Sequence, residues 1–367
     1  MFFNIFVKEL FPVALTGKHS IIRKVQKTKT VPPNAAQEGN ELNITVLGAG
    51  TWGWSITRAL CQNGHTVTLW ATTPEKAAQL EATGRHPRLP EATMPAGARY
   101  TADLALACTG AEMVIFAVAS AYVRDTARQA RPFLRPEQIL VTAAKGIEKQ
   151  TLFTMTQVVA DALAPMEARL AAISGPTHAE EVSRDMPTAM VCACADRSTA
   201  ERISRAFTSP VMRTYPVTDV EGVELCGALK NIIALAAGCA KGLGYGDNAL
   251  AALITRGMAE IKRLGLAMGC RGETFDGLAG VGDLIVTCFS RHSRNMNAGL
   301  LIGGGMSPAA AIREIGRVVE GVYALEAAGE LSERYGVEMP IVRAVYDVLY
   351  RETEPAAVAE ALMLRGR

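Results

Sequence analysis

One hexapeptide constrains this chain more than any other feature. The run LNITVL (42–47) leads directly into Gly48-Ala49-Gly50-Thr51-Trp52-Gly53, and TWGWSITRALCQN continues with helical spacing. A G-x-G-x-x-G between a strand and a helix calls for a tight turn, a close helix–strand crossing and a helix start open to an anion. The free N–H groups of such a start favour a pyrophosphate. With TVTLW (66–70) coming next as a second strand, the segment predicts a dinucleotide-binding βαβ unit. A glycine turn of purely structural use in another α/β protein is the alternative.

The rest of the chain extends the pattern. MVIFAV (113–118), QILVT (138–142), LAAIS (170–174), TAMVCAC (188–194) and VMRTYP (211–216) read as strands, and segments such as PEKAAQLEAT and STAERISRAF between them read as helices. Such alternation implies a mainly parallel, doubly wound, Rossmann-type sheet. After Asp219 the strand signal stops and long Ala/Leu/Gly-rich helical sequence takes over. The expected architecture is an α/β N-terminal domain over residues 41–218 and an all-α C-terminal domain over 219–357, with a tail at 358–367. At 367 residues and 49% hydrophobic composition, there is enough chain for two cores.

Residues 1–40 differ from the remainder of the chain. They hold Lys8, Lys18, Arg23, Lys24, Lys27 and Lys29 against Glu9 and Glu38, and end in VPPNAAQEGN. The apolar run precedes the charge, the reverse of a signal peptide, so an unstructured leader is expected. The whole chain has 38 basic and 36 acidic residues, which leaves no field to attract nucleic acid. Eight cysteines at 61, 108, 192, 194, 226, 239, 270 and 288 form no C-x-x-C pair. Among Ala, Val and Leu they read as small hydrophobes; a reducing cytoplasm and no metal site are expected. No apolar run reaches the length of a membrane span.

The closest to one, residues 225–240, points to chemistry instead. Lys230 and Asn231 are its only polar side chains. A buried ammonium is costly unless paired or shifted toward neutrality, and a lysine with a lowered pKa can exchange protons with a substrate oxygen. Lys145 comes just after one strand, and Gly175, Pro176 and Thr177 after another, at the sheet edge where ligands bind. Pro176 suits the first turn of a helix facing a phosphate. Asp283 lies in a Gly-rich turn, with Arg291, Arg294 and Asn295 beyond it; an Arg can grip a phosphate with two hydrogen bonds. His178 and His292 lack an obvious orienting partner and read as bystanders. After the second strand stand Ala71, Thr72 and Thr73, with no carboxylate to repel a 2′-phosphate. NADP is therefore permitted beside NAD.

Taken together, GAGTWG, KGIE (145–148), SGPTHAEEV (174–182), CGALKNIIALAAG (226–238), GLAGVGDLIVTC (277–288), SRN (293–295), VVEGV (318–322) and PIVRAVYDVLY (340–350) resemble bacterial-type NAD(P)-dependent sn-glycerol-3-phosphate dehydrogenases. The resemblance runs over about residues 42–355. It implies a reaction that interconverts dihydroxyacetone phosphate and sn-glycerol 3-phosphate, feeding glycerophospholipid synthesis. A cytoplasmic protein is expected, with a homodimer as one candidate assembly that the sequence itself does not decide. It also implies roles. Gly48, Gly50, Thr51, Trp52, Gly53, Thr72, Lys145, Ala179, Arg294, Val318 and Glu320 would contact the cofactor. Lys145, Gly175, Thr177, Lys230, Asp283, Ser293, Arg294 and Asn295 would contact the triose phosphate. Lys230 would exchange the proton, with Lys145 and Asp283 beside it.

Three segments depart from the family pattern: Trp54 for a small residue or Thr, Ala119 for Pro, and Ala71-Thr72 where Arg or His is frequent. Other readings are a two-domain 3-hydroxyacid dehydrogenase or ketopantoate reductase, against which GDLIVTC and SRN speak, and a cofactor-sensing protein without catalysis. Lys145, Lys230 and Asp283 speak against the last.

Overall fold

The computed structural model describes residues 41–365, so the leader expected over 1–40 lies outside the described residues. One sheet of eight strands dominates the first half: β1 (Asn43–Leu47), β2 (Thr66–Trp70), β3 (Ala98–Thr101), β4 (Met113–Phe116), β5 (Ile139–Thr142), β6 (Arg169–Ser174), β7 (Thr188–Cys194) and β8 (Met212–Val217). Their spatial order is β3-β2-β1-β4-β5-β6-β7-β8. The first six run parallel. β7 turns antiparallel to β6, and β8 pairs parallel with β7.

Seven of these strands coincide with the runs read from sequence. The eighth, β3, is ARYT at the sheet edge, no residue of it buried. It lacks the apolar run that betrays a central strand.

Inner strands are mostly apolar because helices cover both faces. Ile44, Val46, Met113, Ile115, Ile139 and Val141 pack on one side, while Leu47, Val114, Phe116 and Leu140 pack on the other. Chain order reverses direction between β1 and β4. The loops after these strands diverge there and open a crevice at the carboxyl edge of the sheet.

The second half is helical around one long helix, Val220–Gly242. Asp219 starts it by accepting from the Gly222 N–H at 3.1 Å. Of the described residues, only this helix is long and apolar enough to cross a membrane, and 94% of its 18-residue window is buried inside the protein. Its surroundings make it a core helix. Glycines let a second helix, Arg294–Gly303, come unusually near. A Cβ on Gly299 would stand 2.1 Å from the Leu235 carbonyl oxygen, and one on Gly238 would stand 2.1 Å from that of Met296. This crossing seats Arg294 and Asn295 beside Lys230 and Asn231. The tail expected from 358 begins inside a further helix, Pro355–Leu364; Pro355 at its first turn and the Ala-rich run behind it continue the helical part to Leu364.

Candidate active site

The turn after β1 is built as its glycines require. Gly48 has φ of +122°, and a Cβ there would lie 2.9 Å from the main chain of Ala117 and Val118. A Cβ on Gly53 would lie 1.9 Å from the Gly48 carbonyl oxygen. Larger residues would push the helix Thr51–Gln62 off the strand. At its start Gly50 provides no side-chain cap, nothing acidic occupies the first turn, and the space beside Gly50 is open. Unused N–H groups, a positive helix end and an open approach fit a dinucleotide pyrophosphate. The Ser55 hydroxyl donates to the Ala179 carbonyl at 3.0 Å, which ties this helix to the start of the short helix Ala179–Val182 that follows β6.

A cleft of about 340 Å³ runs from this turn to the helical domain. Gly50, Thr51, Trp52, Lys145, Thr177, Ala179, Lys230, Asp283, Ser293, Arg294, Asn295 and Glu320 all line it. Val318 stands just behind, its carbonyl accepting from the Arg294 guanidinium at 2.6 Å. The Glu320 carboxylate accepts from the Ser120 hydroxyl at 2.5 Å and its N–H at 3.4 Å. A helical-domain side chain is thereby fixed to the loop after β4. Thr72 is exposed and does not line the cleft, and the Thr73 hydroxyl is engaged in capping the helix Pro74–Thr83. On that side the cleft is bordered by Arg88, with Arg317 and Arg294 elsewhere on its wall.

At the centre stand three charged groups. Lys145 comes from the end of β5, and its stem passes Gly227, where a Cβ would approach Lys145 Cγ to 3.3 Å. Its Nζ donates to the Gly175 carbonyl at 3.1 Å and to Asp283 Oδ2 at 2.6 Å. Lys230 comes from the core helix and donates to Asp283 Oδ1 at 2.5 Å and to the Thr287 hydroxyl at 2.7 Å. Asp283 sits buried at the start of the helix Asp283–Phe289, straight after a π-helical turn, Leu278–Gly282, rather than in a solvated loop. Such turns recur at functional sites.

One carboxylate thus serves two ammonium groups. Burial lowers the Lys230 pKa to about 8; Asp283 works against that and Lys145 reinforces it. Burial also disfavours ionised Asp283, but Lys145 and Lys230 together outweigh it and hold the carboxyl below the usual range. Lys145 keeps a side-chain exposure of 20% and Lys230 only 7%. Lys145 is the lysine nearer to solvent, and Lys230 is able to change protonation state near neutral pH.

A second polar chain orders the neighbouring wall. Asn295 Nδ2 donates to Asn231 Oδ1 at 2.9 Å, and its Oδ1 accepts from the Gly321 N–H at 2.9 Å. The Asn231 amide in turn donates to the Gly227 carbonyl at 3.1 Å. Ser293 caps Arg294–Gly303, accepting from the Met296 N–H at 3.2 Å. Three helices are registered on one another around this network.

Sequence reasoning missed part of the site. His178 and His292, read as bystanders, both line the cleft, with ring centroids 5.9 Å apart. They belong to different domains, and no local pattern shows that they meet. Arg88, in a loop between β2 and β3, carried no motif either. Pro176 precedes rather than opens the short helix Ala179–Val182, whose N-cap is His178. Trp54 is fully buried with His86 6.4 Å away, and Ala119 lines the cleft. The cysteines are all buried free thiols.

Comparison with known proteins agrees with this geometry. A family model described as NAD-dependent glycerol-3-phosphate dehydrogenase N-terminus matches residues 43–200, and its C-terminal counterpart matches 219–360. Glycerol-3-phosphate dehydrogenase (NAD(P)+) 2 of Lactobacillus delbrueckii subsp. bulgaricus is 51% identical over 328 residues, 88% of this chain and 97% of that protein. Its counterpart from Moorella thermoacetica is 48% identical over 326 residues, covering 89% and 96%. The crystal structure of glycerol-3-phosphate dehydrogenase from Coxiella burnetii superposes with a TM-score of 0.84 at 33% identity, over 89% of this chain and 99% of that one. A ketopantoate reductase from Ralstonia eutropha shares the fold at 18% identity and a TM-score of 0.54. Both halves of the chain therefore belong to the NAD(P)-dependent glycerol-3-phosphate dehydrogenase family.

Proposed function

We infer that Lys230 is the proton-exchanging group in an NAD(P)-dependent oxidoreductase that interconverts dihydroxyacetone phosphate and sn-glycerol 3-phosphate. The observation that carries the reading is Asp283 held between Lys145 and Lys230 in a cleft that also borders the dinucleotide turn. The nicotinamide, when bound, supplies or accepts the hydride at substrate C2. In the reductive direction the C2 oxygen gains charge as hydride arrives, and the Lys230 ammonium gives it a proton, leaving a hydroxyl on the product and a neutral amine on the enzyme. In the oxidative direction the neutral amine takes that proton back.

Lys145 stabilises the same developing charge and keeps the Asp283 carboxylate ionised. Asp283 aims both ammonium groups, and Thr287 fixes the free rotation of Lys230. Arg294, Ser293 and Asn295, at the start of the helix Arg294–Gly303, take the substrate phosphate together with the main chain of Gly175 and Thr177. Thr51, Trp52 and the glycines of the first turn take the cofactor pyrophosphate, with Ala179, Val318 and Glu320 along its path. Thr72 lies toward the ribose end, where either NAD or NADP is accommodated. The domains meet at Asp219.

The biological setting is suggested by the product, whose phosphate and free hydroxyls suit acylation toward glycerophospholipids in the cytoplasm. The helix Pro355–Leu364 has no buried residue, exposes Met363 and Leu364, and borders an apolar groove of about 820 Å³ lined by Leu253, Val345 and Val348. We assign this face to a second copy of the chain. Sedimentation of the purified protein tests it, a monomer at micromolar concentration being the adverse result. The activity is tested by following NADPH and NADH oxidation with dihydroxyacetone phosphate and with unphosphorylated dihydroxyacetone. Turnover of the first and near-absence of the second is expected.

A further inference from the structure

Six buried side-chain polar atoms among the described residues have no hydrogen-bond partner. Only one belongs to a residue lining the cleft: Nε2 of His178. Buried donors are normally paired, and an orphan inside a binding cleft marks a place where a ligand atom completes the pairing. Several other donors of the cleft are already engaged within the protein. Lys145 and Lys230 share Asp283, Arg294 holds the Val318 carbonyl, and Asn295 bridges Asn231 to Gly321.

The position of His178 says which part of the ligand it meets. Its ring lies against His292, two residues before Arg294, so it faces the end of the cleft formed by the start of the helix Arg294–Gly303. The groups around it are Lys230 from the core helix, Asp283 and the Val286 carbonyl from Asp283–Phe289, Glu180 from its own helix, and His292. Burial, reinforced by Lys230, lowers its pKa. The ring's contact with the Val286 carbonyl opposes that shift, and an anion arriving at Nε2 favours the ring form that carries a proton on that nitrogen.

We propose that His178 is a substrate-binding residue: its Nε2–H donates to a phosphate oxygen of the bound triose phosphate, with His292 packed behind it to fix the ring. This rests on the dehydrogenase reading above and adds to it a phosphate contact from the sheet domain. The phosphate then bridges the two domains, held by His178 on one side and Arg294 on the other.

The test compares His178→Leu and His178→Gln with the unaltered protein, measuring kcat and KM for dihydroxyacetone phosphate and the Kd of NADPH. A hydrogen bond to a charged group corresponds to roughly a 10–100-fold change in binding. We expect His178→Leu to raise the substrate KM by about that factor, with kcat within about 3-fold and the NADPH Kd unchanged. His178→Gln, whose Nε2 lies near the same place, should recover most of the loss and guards against a folding defect in the Leu variant. An unchanged KM in both variants overturns the proposal. So does a fall in kcat at constant KM, which would make His178 part of proton transfer. Absence of activity in the unaltered protein would instead overturn the dehydrogenase reading itself.

Discussion

The Asp283 carboxylate stands 2.5 Å from the Lys230 ammonium, and both groups are buried. Asp283 is the counter-charge that lets Lys230 remain protonated in a place where burial alone would strip its proton. The site is tuned by this opposition. Desolvation pushes the ammonium toward neutrality, Asp283 resists, and Lys145 takes up half of what Asp283 offers.

The pH dependence of turnover should track Lys230. Its pKa is lowered to about 8, so below that pH the ammonium is present and ketone reduction proceeds. As pH rises through about 8 the proton is lost, and kcat/KM for dihydroxyacetone phosphate should fall roughly tenfold per pH unit. Oxidation of glycerol 3-phosphate needs the neutral amine and should rise over the same range. A pair of pH–rate profiles checks the sign; profiles that move together would assign the break to another group.

Replacing Asp283 by Asn should shift that break. The amide keeps the size but offers one acceptor in place of two, and it removes the charge that favours protonated Lys230, while the repulsion from Lys145 remains. The break in reduction should move below pH 8, and kcat at neutral pH should fall by about 10²-fold or more. A break that stays in place would separate Asp283 from the proton transfer.

Gly299→Ala tests whether helix packing positions the substrate site. The added methyl would meet the Leu235 carbonyl oxygen at 2.1 Å, so Arg294–Gly303 must move away from the core helix. Overpacking costs about 1–3 kcal/mol, which urea unfolding can read. The substrate KM should rise more than the NADPH Kd, because Arg294 and Asn295 are carried on the displaced helix. Native stability would show that the helices yield without strain.

Thr72→Asp tests the cofactor's ribose end. Thr72 is exposed at the end of β2, and a carboxylate there should repel a 2′-phosphate. At roughly 4 Å in water such repulsion is about 1 kcal/mol, near a 5-fold effect. The preference for NADPH over NADH should drop by about that much. An unchanged ratio would leave Arg88, on the wall of the cleft, as the residue to examine.

Much of the fold and of the site is legible in the amino-acid sequence. Glycines 48 and 53 announce their turn because local geometry requires them, and Lys230 stands out because fourteen apolar or small neighbours make an ammonium anomalous. The features that escape depend on distance in the chain. The strand β3 is short and polar because it lies at an edge, and the antiparallel entry of β7 leaves no trace in side-chain periodicity. His178 and His292 are separated by more than a hundred residues, and only the docking of the two domains brings them together. The same holds for Ser120 and Glu320. Motifs display what each segment does alone; the site is assembled from pairs that no segment contains.

The most direct test is turnover by Lys230→Met and Lys230→Arg. Met preserves the length and apolar stem, so the core helix still packs and only the ammonium is lost. General acid–base help is typically ~10²–10⁴-fold, and lost stabilisation of the substrate oxyanion adds to it. We expect kcat to fall by at least ~10³-fold with the NADPH Kd changed by less than about 5-fold. Arg keeps the charge but does not release its proton near neutral pH, so Lys230→Arg should remain nearly as inactive. Near-native turnover in the Arg variant would contradict proton transfer by Lys230 and leave it only a charge-holding role.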